Sequence, residues 1–190
     1  KTLHAVEQLC SFMISGNNEL QILSSSIERK YETFIFDSLD DFFDTSLLVH
    51  VIRKFVKHNL RSILTEVDPD TDWTDYIKFS LSQHIFSFLP SQESAIRKGL
   101  LKFDKAFSLK MPTSAGKSYI TELLIYKELK TNPHAKVLYL APLRSLSREL
   151  QFRFRRVGSN LGFTTRAIYG GSTFTIDQDI LKDARLLIST

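Results

Sequence analysis

The chain has 190 residues and a formal net charge of +4, with 43% hydrophobic and 24% charged residues, a composition typical of a globular domain. This length accommodates one domain of ordinary size, or one domain with a helical extension. The single cysteine, Cys10, excludes an internal disulfide, and no Cys/His spacing resembles a zinc site. A reducing, cytoplasmic location is therefore expected. No run reaches the roughly 18 apolar residues of a membrane span, and no signal peptide is recognisable, so no membrane association is expected.

The charge is distributed unevenly along the chain. Residues 1–90 carry eight Lys/Arg and 13 Asp/Glu residues, whereas residues 91–190 carry 17 and eight. The basic half is suited to an anionic partner, although a solvated basic surface would give the same counts. The chain begins with Lys1 and its last residues, Ile188–Thr190, have the pattern of an unfinished strand. A piece of a longer protein is therefore expected.

Residues 1–87 are predicted to form a helical N-terminal region. Apolar positions recur at helical spacing over Ser46–Leu64, and Asp44 is placed to cap that helix. The segment Val67–Asp72 is a break rich in turn residues, and a second helix is predicted over Thr74–Phe88. Between residues 36 and 44, aspartates alternate with phenylalanine and leucine. This alternation favours a helix with one solvent-exposed face and one buried face, with a protein-docking surface as the alternative.

Residues 88–190 are predicted to form an α/β domain. After Pro90, short apolar runs alternate with amphipathic helices, which indicates a parallel sheet covered by helices on both faces. The predicted strands are Ala106–Lys110, Lys136–Ala141, Thr164–Tyr169 and Arg185–Ser189. The predicted helices are Ser91–Leu101, which Ser91 would cap, Lys117–Lys130, Ser145–Val157 and Ile176–Lys182.

A candidate phosphate-binding loop, Met111-Pro-Thr-Ser-Ala-Gly-Lys-Ser118, lies between a predicted strand and a predicted helix. The N–H groups at the start of a helix, together with its dipole, form an anion cradle. Gly116 permits close approach of phosphate, Lys117 supplies a charge to the β- and γ-phosphates, and Ser118 offers a hydroxyl to Mg²⁺. The segment predicts a nucleoside triphosphate site, with ATP as the expected nucleotide. It departs from the usual loop pattern at its first position, where Met111 replaces glycine.

Pro112-Thr113-Ser114-Ala115-Gly116-Lys117-Ser118 resembles motif I of superfamily 2 DEAD/DEAH-box helicases, whose loop begins with Pro-Thr and not with glycine. That resemblance accounts for Met111. The continuation Ile120-Thr121-Glu122 is similar to the superkiller-like branch of the family. Upstream, Pro90-Ser91-Gln92 resembles the adenine-reading Q-motif.

Further matches follow in the order that the family has. Ala141–Leu150 resembles motif Ia, Gly170-Gly171 is similar to a glycine pair near the nucleic-acid backbone, and Leu186–Thr190 resembles the strand that leads to motif Ib. The resemblance covers residues 88–190 and implies a partial RecA-like motor domain. The preceding residues 1–87 match no family that we can name.

The resemblance implies ATP and Mg²⁺ as cofactors. Lys117 and Ser118 would be catalytic, with Ser118 holding Mg²⁺ through the nucleotide. Gln92 would read adenine with the donor and acceptor of its amide, and Phe88 and Phe103 are alternative aromatic partners for the base. The implied cofactor-binding residues are Gln92, Pro112, Thr113, Ser114, Ala115, Gly116, Lys117 and Ser118.

The resemblance also implies backbone contacts with single-stranded DNA or RNA. Arg144 would bind a phosphate where its helix begins. The glycine pair is open to a second interpretation, a turn that ends a strand. The implied nucleic-acid-binding residues are Pro142, Leu143, Arg144, Gly170, Gly171 and Thr190. Further along the same helix, the arginines are interpreted mainly as solvated charge: Arg148, Arg153, Arg155 and Arg156.

The expected function is that of an ATP-dependent helicase or translocase. The chain contains no Asp-Glu-x-His/Asp motif and no second motor domain with an arginine finger, so residues 1–190 are expected not to turn over ATP by themselves. Two alternatives stay open at this point. One is another P-loop enzyme, such as a kinase or a AAA-type ATPase. The other is a protein-docking module in residues 1–87, with a protein partner, attached to a motor domain.

Overall fold

A computed structural model describes residues 2–16, 22, 25–27, 29, 39–102, 106–112, 114–168 and 182–190. The chain divides into two compact units, Lys1–Ala115 and Gly116–Thr190. The division falls inside the candidate phosphate loop. The boundary expected between residues 87 and 88 stays a prediction.

The first unit is helical in its described residues. Its helices are α1 (Thr2–Ser15), α2 (Leu39–His58), α3 (Leu60–Val67), α4 (Thr74–Ser82) and α5 (Pro90–Ala95), and α5 continues into a π-helical turn (Ile96–Leu100). The side chains of α3 and α4 that face the core are fully buried, among them Leu60, Ile63, Leu64, Tyr76 and Ile77. Helices α1 and α3 are joined by the Arg61 Nε atom, which donates to the Met13 carbonyl at 2.6 Å.

The helix predicted over Ser46–Leu64 is two helices, and the break between them lies at Asn59. The Asn59 side chain is fully buried. Its Oδ1 accepts the Ser62 N–H at 3.0 Å, which caps α3, and its Nδ2 donates to the Phe55 carbonyl at 2.7 Å at the end of α2. The prediction of one continuous helix was therefore wrong, because an asparagine whose side chain satisfies both helix ends separates the two segments.

The start of α2 also differs from the prediction. The helix begins at Leu39, so Asp44 lies inside it and does not cap it. Leu39 and Phe43 are 70% and 63% exposed, so the predicted buried face is not buried at these two positions. Periodicity alone could not show this, since it identifies a common face but not what covers that face.

The strand predicted over Ala106–Lys110 does not form. These five residues are irregular, and most of their side chains are exposed. A strand is stabilised by hydrogen bonds to neighbouring strands. The three strands found in the described residues pair only with one another, so residues 106–110 have no strand with which to form hydrogen bonds.

The second unit contains a parallel sheet with helices packed on it. Its elements are α6 (Lys117–Thr131), β1 (Val137–Leu140), α7 (Arg144–Leu161), β2 (Thr165–Ile168) and β3 (Leu186–Ser189). The strands pair in the order β1–β3–β2, with Tyr139 opposite Ile188 and Ile188 opposite Ala167. Helix α6 contacts β1, and α7 contacts β2 and β3. This arrangement confirms the predicted α/β fold class.

One face of the sheet packs against α7. The rings of Tyr139 and Phe154 lie with their centroids 5.9 Å apart, and the Thr165 hydroxyl donates to the Phe154 carbonyl at 3.1 Å. Successive strand residues point to opposite faces. Leu138 and Leu140 point away from this core and are 57% and 67% exposed, so the strand predicted to be buried is open at these positions within the described residues. The helix predicted over Ile176–Lys182 lies outside the described residues except for Lys182.

Gly158 of α7 lies against the backbone of Phe163. A Cβ atom added at Gly158 would be 2.3 Å from the Phe163 carbonyl oxygen, so the two segments can approach only without a side chain there. Gly158→Ala should therefore lower the free energy of unfolding by about 1–3 kcal/mol, measured by urea denaturation. The exposed neighbour Ser159 provides a control, since Ser159→Ala should change it by less than about 0.5 kcal/mol. Wild-type stability in Gly158→Ala would contradict the observed packing.

Candidate nucleotide and nucleic-acid site

The backbone of the phosphate loop contains two residues in the left-handed region. Ser114 has a φ of 69° and Gly116 a φ of 72°. Glycine adopts this conformation readily, whereas serine does so at a cost of about 1 kcal/mol. Between them, the Ala115 N–H donates to the Pro112 carbonyl at 3.3 Å. Strained backbone of this kind is concentrated at binding sites and catalytic sites.

Helix α6 begins directly after this loop. Gly116 is its N-cap, and Lys117 and Ser118 form its first residues. The Lys117 side chain is exposed and that of Ser118 is partly exposed. An ammonium group, a hydroxyl and a helix N-terminus form the donor set that phosphate oxygens and a phosphate-bound Mg²⁺ require. These residues therefore fit a nucleoside triphosphate with Mg²⁺.

The side-chain amide of Gln92 is hydrogen-bonded at both ends within the first unit. Gln92 is 3% exposed. Its Oε1 accepts the Leu89 N–H at 3.0 Å, and its Nε2 donates to the Ala115 carbonyl at 3.1 Å. Gln92 and not Ser91 is therefore the residue whose side chain satisfies the start of α5, which corrects the predicted cap. The same side chain joins α5 to the end of the loop in this unit, a contact that the sequence did not indicate.

The predicted nucleic-acid contacts lie where strands of the sheet end. The Ala141 N–H donates to the Ser189 carbonyl at 2.8 Å, so the residues after β1 and β3 leave the sheet side by side. Ligands of open parallel sheets bind at this carboxyl edge. The predicted contacts in the described residues are all exposed there: Pro142, Leu143, Arg144 and Thr190.

The direction of α6 brings its first turn toward the same edge. Arg185, just before β3, donates to the carbonyls of Leu129 and Asn132 at 3.0 and 2.9 Å, which attaches the last turn of α6 to the opposite edge. A short loop then leads to β1, so α6 runs antiparallel to the strands. With 15 residues the helix is about 22 Å long and reaches past the strands. The first turn of α6, which contains Lys117 and Ser118, therefore lies toward the edge that carries Arg144.

An ion pair between a buried carboxylate and a partly exposed guanidinium links the two helices of this unit. Glu122 of α6 is 4% exposed, and its Oε1 accepts a hydrogen bond from the Nε atom of Arg153 on α7. Burial raises the pKa of Glu122, and the Arg153 guanidinium opposes that rise. Arg153 is 43% exposed but also pairs with this buried carboxylate, so its interpretation as solvated charge alone was incomplete. Its partner is 31 residues away, and no local pattern connects two positions at that separation.

Three of the predicted site residues, Thr113, Gly170 and Gly171, lie outside the described residues. Among the residues that the structure describes, no group of three His, Cys, Asp or Glu side chains could hold a metal ion. The same part of the chain contains no helix that is both long and apolar enough to cross a membrane.

The family of the chain follows from residues 89–190, which match the DEAD/DEAH box helicase family. This match covers more than half of the chain, and the chain belongs to that family. The resemblance to superfamily 2 helicases that the motifs indicated is thereby confirmed. The family match also excludes the alternative that the chain is another P-loop enzyme, such as a kinase or a AAA-type ATPase.

Three relatives have similar sequences. Hachiman protein HamB of Bacillus cereus is 35% identical over 148 residues, which are 76% of this chain and 13% of HamB. The ATP-dependent DNA helicase Hel308 of Methanocaldococcus jannaschii is 28% identical over 110 residues, covering 56% of this chain and 9% of Hel308. Activating signal cointegrator 1 complex subunit 3 of Dictyostelium discoideum is 27% identical over 107 residues, covering 52% of this chain and 5% of that protein. The chain thus spans a small part of each relative.

A solved structure supports the fold. The crystal structure of the DUF1998 helicase MrfA, bound to DNA and AMPPNP, matches 58% of this chain and 16% of that chain with a TM-score of 0.50 and 18% identity. Together with the family match, this similarity agrees with a partial RecA-like motor domain.

Arg153→Ala tests how much the ion pair between Glu122 and Arg153 contributes to the free energy of unfolding. The variant leaves the Glu122 carboxylate buried without its guanidinium, which should lower the free energy of unfolding by about 1–3 kcal/mol near pH 7. Burial raises the pKa of Glu122 in the folded state, so the penalty is present while the carboxylate is charged and is lost as the pH falls and it becomes protonated. Urea denaturation near pH 7 and at about pH 5 measures this difference.

Arg155→Ala on the same helix is the matched control. Arg155 is exposed and has no ion pair within the described residues. Its replacement should change stability by less than about 0.5 kcal/mol at either pH. A deficit in Arg153→Ala that is equally large at both pH values would contradict a buried charged partner.

Proposed function

We propose that this chain is the ATP-binding part of a helicase or translocase that moves along nucleic acid. Membership of the DEAD/DEAH box family supports a helicase function in general. The observation that carries the finer proposal is the loop with left-handed Ser114 and Gly116, which leads directly into α6 with Lys117 and Ser118 in its first turn. A cytoplasmic location is proposed with it, on the basis of the single cysteine.

The proposed nucleotide contacts follow from the chemistry of the loop. Lys117 binds the β- and γ-phosphates through its exposed ammonium, and Ser118 offers its hydroxyl to Mg²⁺. When bound, Mg²⁺ neutralises part of the triphosphate charge. Gln92 contributes to adenine recognition from the start of α5. The acidic motif and the arginine finger are not among these residues, so we propose that residues 1–190 bind ATP without turning it over.

The proposed nucleic-acid contacts lie at the carboxyl edge of the sheet. Arg144 stands at the start of α7, where a guanidinium and a helix N-terminus can bind the same phosphate. Pro142, Leu143 and Thr190 line the same edge. Contacts of this kind bind the strand backbone and not the bases, so single-stranded DNA and single-stranded RNA are both substrates to test.

Binding of a protein partner by the N-terminal region is a second candidate function. Four large apolar side chains of α2 follow one another at intervals of four residues and are 51–70% exposed: Leu39, Phe43, Leu47 and Val51. Such a stripe is the kind of helix face that binds another protein. Cross-linking of the intact protein with and without Phe43→Ser tests it. An identical set of cross-linked proteins for both forms would contradict a partner on this face.

Lys117→Ala should weaken ATP binding by about tenfold to a hundredfold, because a charged hydrogen-bond donor to the phosphates is lost. Titration of the protein with a fluorescent ATP analogue measures this change. Lys130→Ala removes a lysine from the other end of the same helix and should leave the affinity unchanged. Equal affinities of wild type and Lys117→Ala would contradict the proposed nucleotide site.

Arg144→Ala should weaken the binding of single-stranded nucleic acid by about tenfold and reduce the salt dependence by about one unit of slope, since one phosphate contact is lost. Fluorescence anisotropy with labelled DNA and RNA oligonucleotides at several salt concentrations measures both. Arg166→Ala, which removes an exposed arginine from β2, is the control. A loss of the same size in Arg166→Ala would indicate general electrostatic attraction and would contradict a specific contact at Arg144.

A further inference from the structure

Four ionisable side chains connect the N-terminal helices to α5 and the turn that follows it, and we call them the anchor cluster: His58, Glu66, Glu93 and Arg97. Arg97 donates from Nε to Glu93 at 2.8 Å and from a terminal nitrogen to Glu66 at 2.5 Å. The Nδ1 atom of His58 lies 3.2 Å from the same Glu93 carboxylate. His58 ends α2 and Glu66 lies on α3, so two N-terminal helices contact one turn of α5.

The backbone just before α5 is attached to the same place. The Leu60 N–H donates to the Phe86 carbonyl at 3.1 Å, and Asn59 forms an isolated antiparallel bridge with Ser87. Asn59 is fully buried at the junction of α2 and α3. Segments on both sides of Gln92 are therefore attached to the N-terminal helices, by backbone hydrogen bonds before it and by the anchor cluster after it.

The backbone that follows Gln92 has an unusual helical form. Arg97 lies in the π-helical turn Ile96–Leu100, which contains Gly99 at a φ of 96°. Such turns are uncommon and are found most often near functional sites. Glu93 directly follows Gln92 and is itself mostly buried, with 18% of its side chain exposed. A shift of Glu93 would therefore move its neighbour Gln92.

We propose that the anchor cluster positions Gln92, so that the N-terminal helices set how tightly the site binds the adenine of ATP. This proposal rests on the proposed function, in which Gln92 contributes to adenine recognition. His58, Glu66, Glu93 and Arg97 are positioning residues, because they act through Gln92. The N-terminal helices thereby acquire a specific role in nucleotide binding.

The charge of Glu93 is maintained near neutral pH. Partial burial acts to raise the pKa of Glu93, but hydrogen bonds from Arg97 and His58 outweigh burial and hold the pKa below its ordinary value. Hydrogen bonds to Glu66, the largest contributor, and to Glu93 raise the pKa of Arg97. Glu93 and Arg97 therefore stay oppositely charged under the conditions of a binding experiment.

The expected effect of breaking the cluster is moderate. Arg97 is 35% exposed and Glu66 is 59% exposed, so their ion pair is partly screened by solvent and contributes little to folding. Its loss should change the orientation of Gln92 more than the stability of the chain. A misplaced recognition group weakens binding even when the fold is intact. Arg97→Gln in the intact protein should raise the Kd for ATP about threefold to tenfold.

The experiment compares ATP with inorganic tripolyphosphate, which has the phosphates but no base. Arg97→Gln should weaken ATP binding and leave tripolyphosphate binding within about twofold of wild type. Arg97→Lys retains the charge but cannot bridge two carboxylates with a planar fork, so it should restore the affinity in part. Arg155→Gln, at an exposed arginine of α7, is the matched control and should have no effect.

A kinetic comparison separates positioning from general damage. If the intact protein hydrolyses ATP, Arg97→Gln should raise the KM for ATP and leave kcat unchanged, because bound nucleotide still contacts Lys117 and Ser118. Glu66→Gln should shift the KM in the same direction by a smaller factor. Glu66→Gln also tests the proposal if Arg97→Gln fails to fold.

Two results would overturn the proposal while leaving the proposed function intact. One is an unchanged Kd for ATP in Arg97→Gln and Glu66→Gln, in a protein whose Lys117→Ala variant loses affinity. The other is an equal loss for ATP and for tripolyphosphate, which would indicate damage to the phosphate loop. A wild-type protein that binds no ATP would contradict the proposed function, and this inference with it.

Discussion

The first unit depends on the buried side-chain amide of Gln92. Its oxygen accepts the Leu89 N–H at the start of α5, and its nitrogen donates to the Ala115 carbonyl at the end of the phosphate loop. Gln92 is 3% exposed, and its removal would leave the Leu89 N–H and the Ala115 carbonyl without these partners. One side chain thus joins the start of the helix to the end of the loop. The anchor cluster acts on this point, since it attaches the next residue, Glu93, to the N-terminal helices.

The second unit depends on the parallel pairing of β1, β3 and β2. This pairing places the residues after β1 beside those after β3, at one edge of the sheet. Helix α6 runs antiparallel to the strands, so its first turn lies toward that edge. The ion pair between Glu122 and Arg153 connects α6 to α7. Lys117 and Ser118, proposed for phosphate binding, and Arg144, proposed for nucleic-acid binding, therefore belong to the same unit.

Local patterns predicted much of this arrangement. The helices at Lys117–Thr131 and Arg144–Leu161 and the three strands were found within a few residues of their predicted bounds, because periodicity, Asn-Pro breaks and apolar runs act over short distances. Features that depend on partners far along the chain were not predictable. The buried Asn59, the Glu122–Arg153 pair and the approach of Gly158 to Phe163 are of this kind. The strand predicted at 106–110 failed for the same reason, since an apolar run does not show which strand will pair with it.

The most direct test is hydrogen–deuterium exchange of the intact protein with and without a non-hydrolysable ATP analogue. Nucleotide in the proposed site should slow exchange at residues 114–120, where the loop enters α6, and at residues 89–93, where Gln92 bonds to that loop. Exchange in α1 and in the middle of α2 should not change. Unaltered exchange at 114–120 at a saturating concentration of the analogue, or protection confined to other segments, would contradict the account.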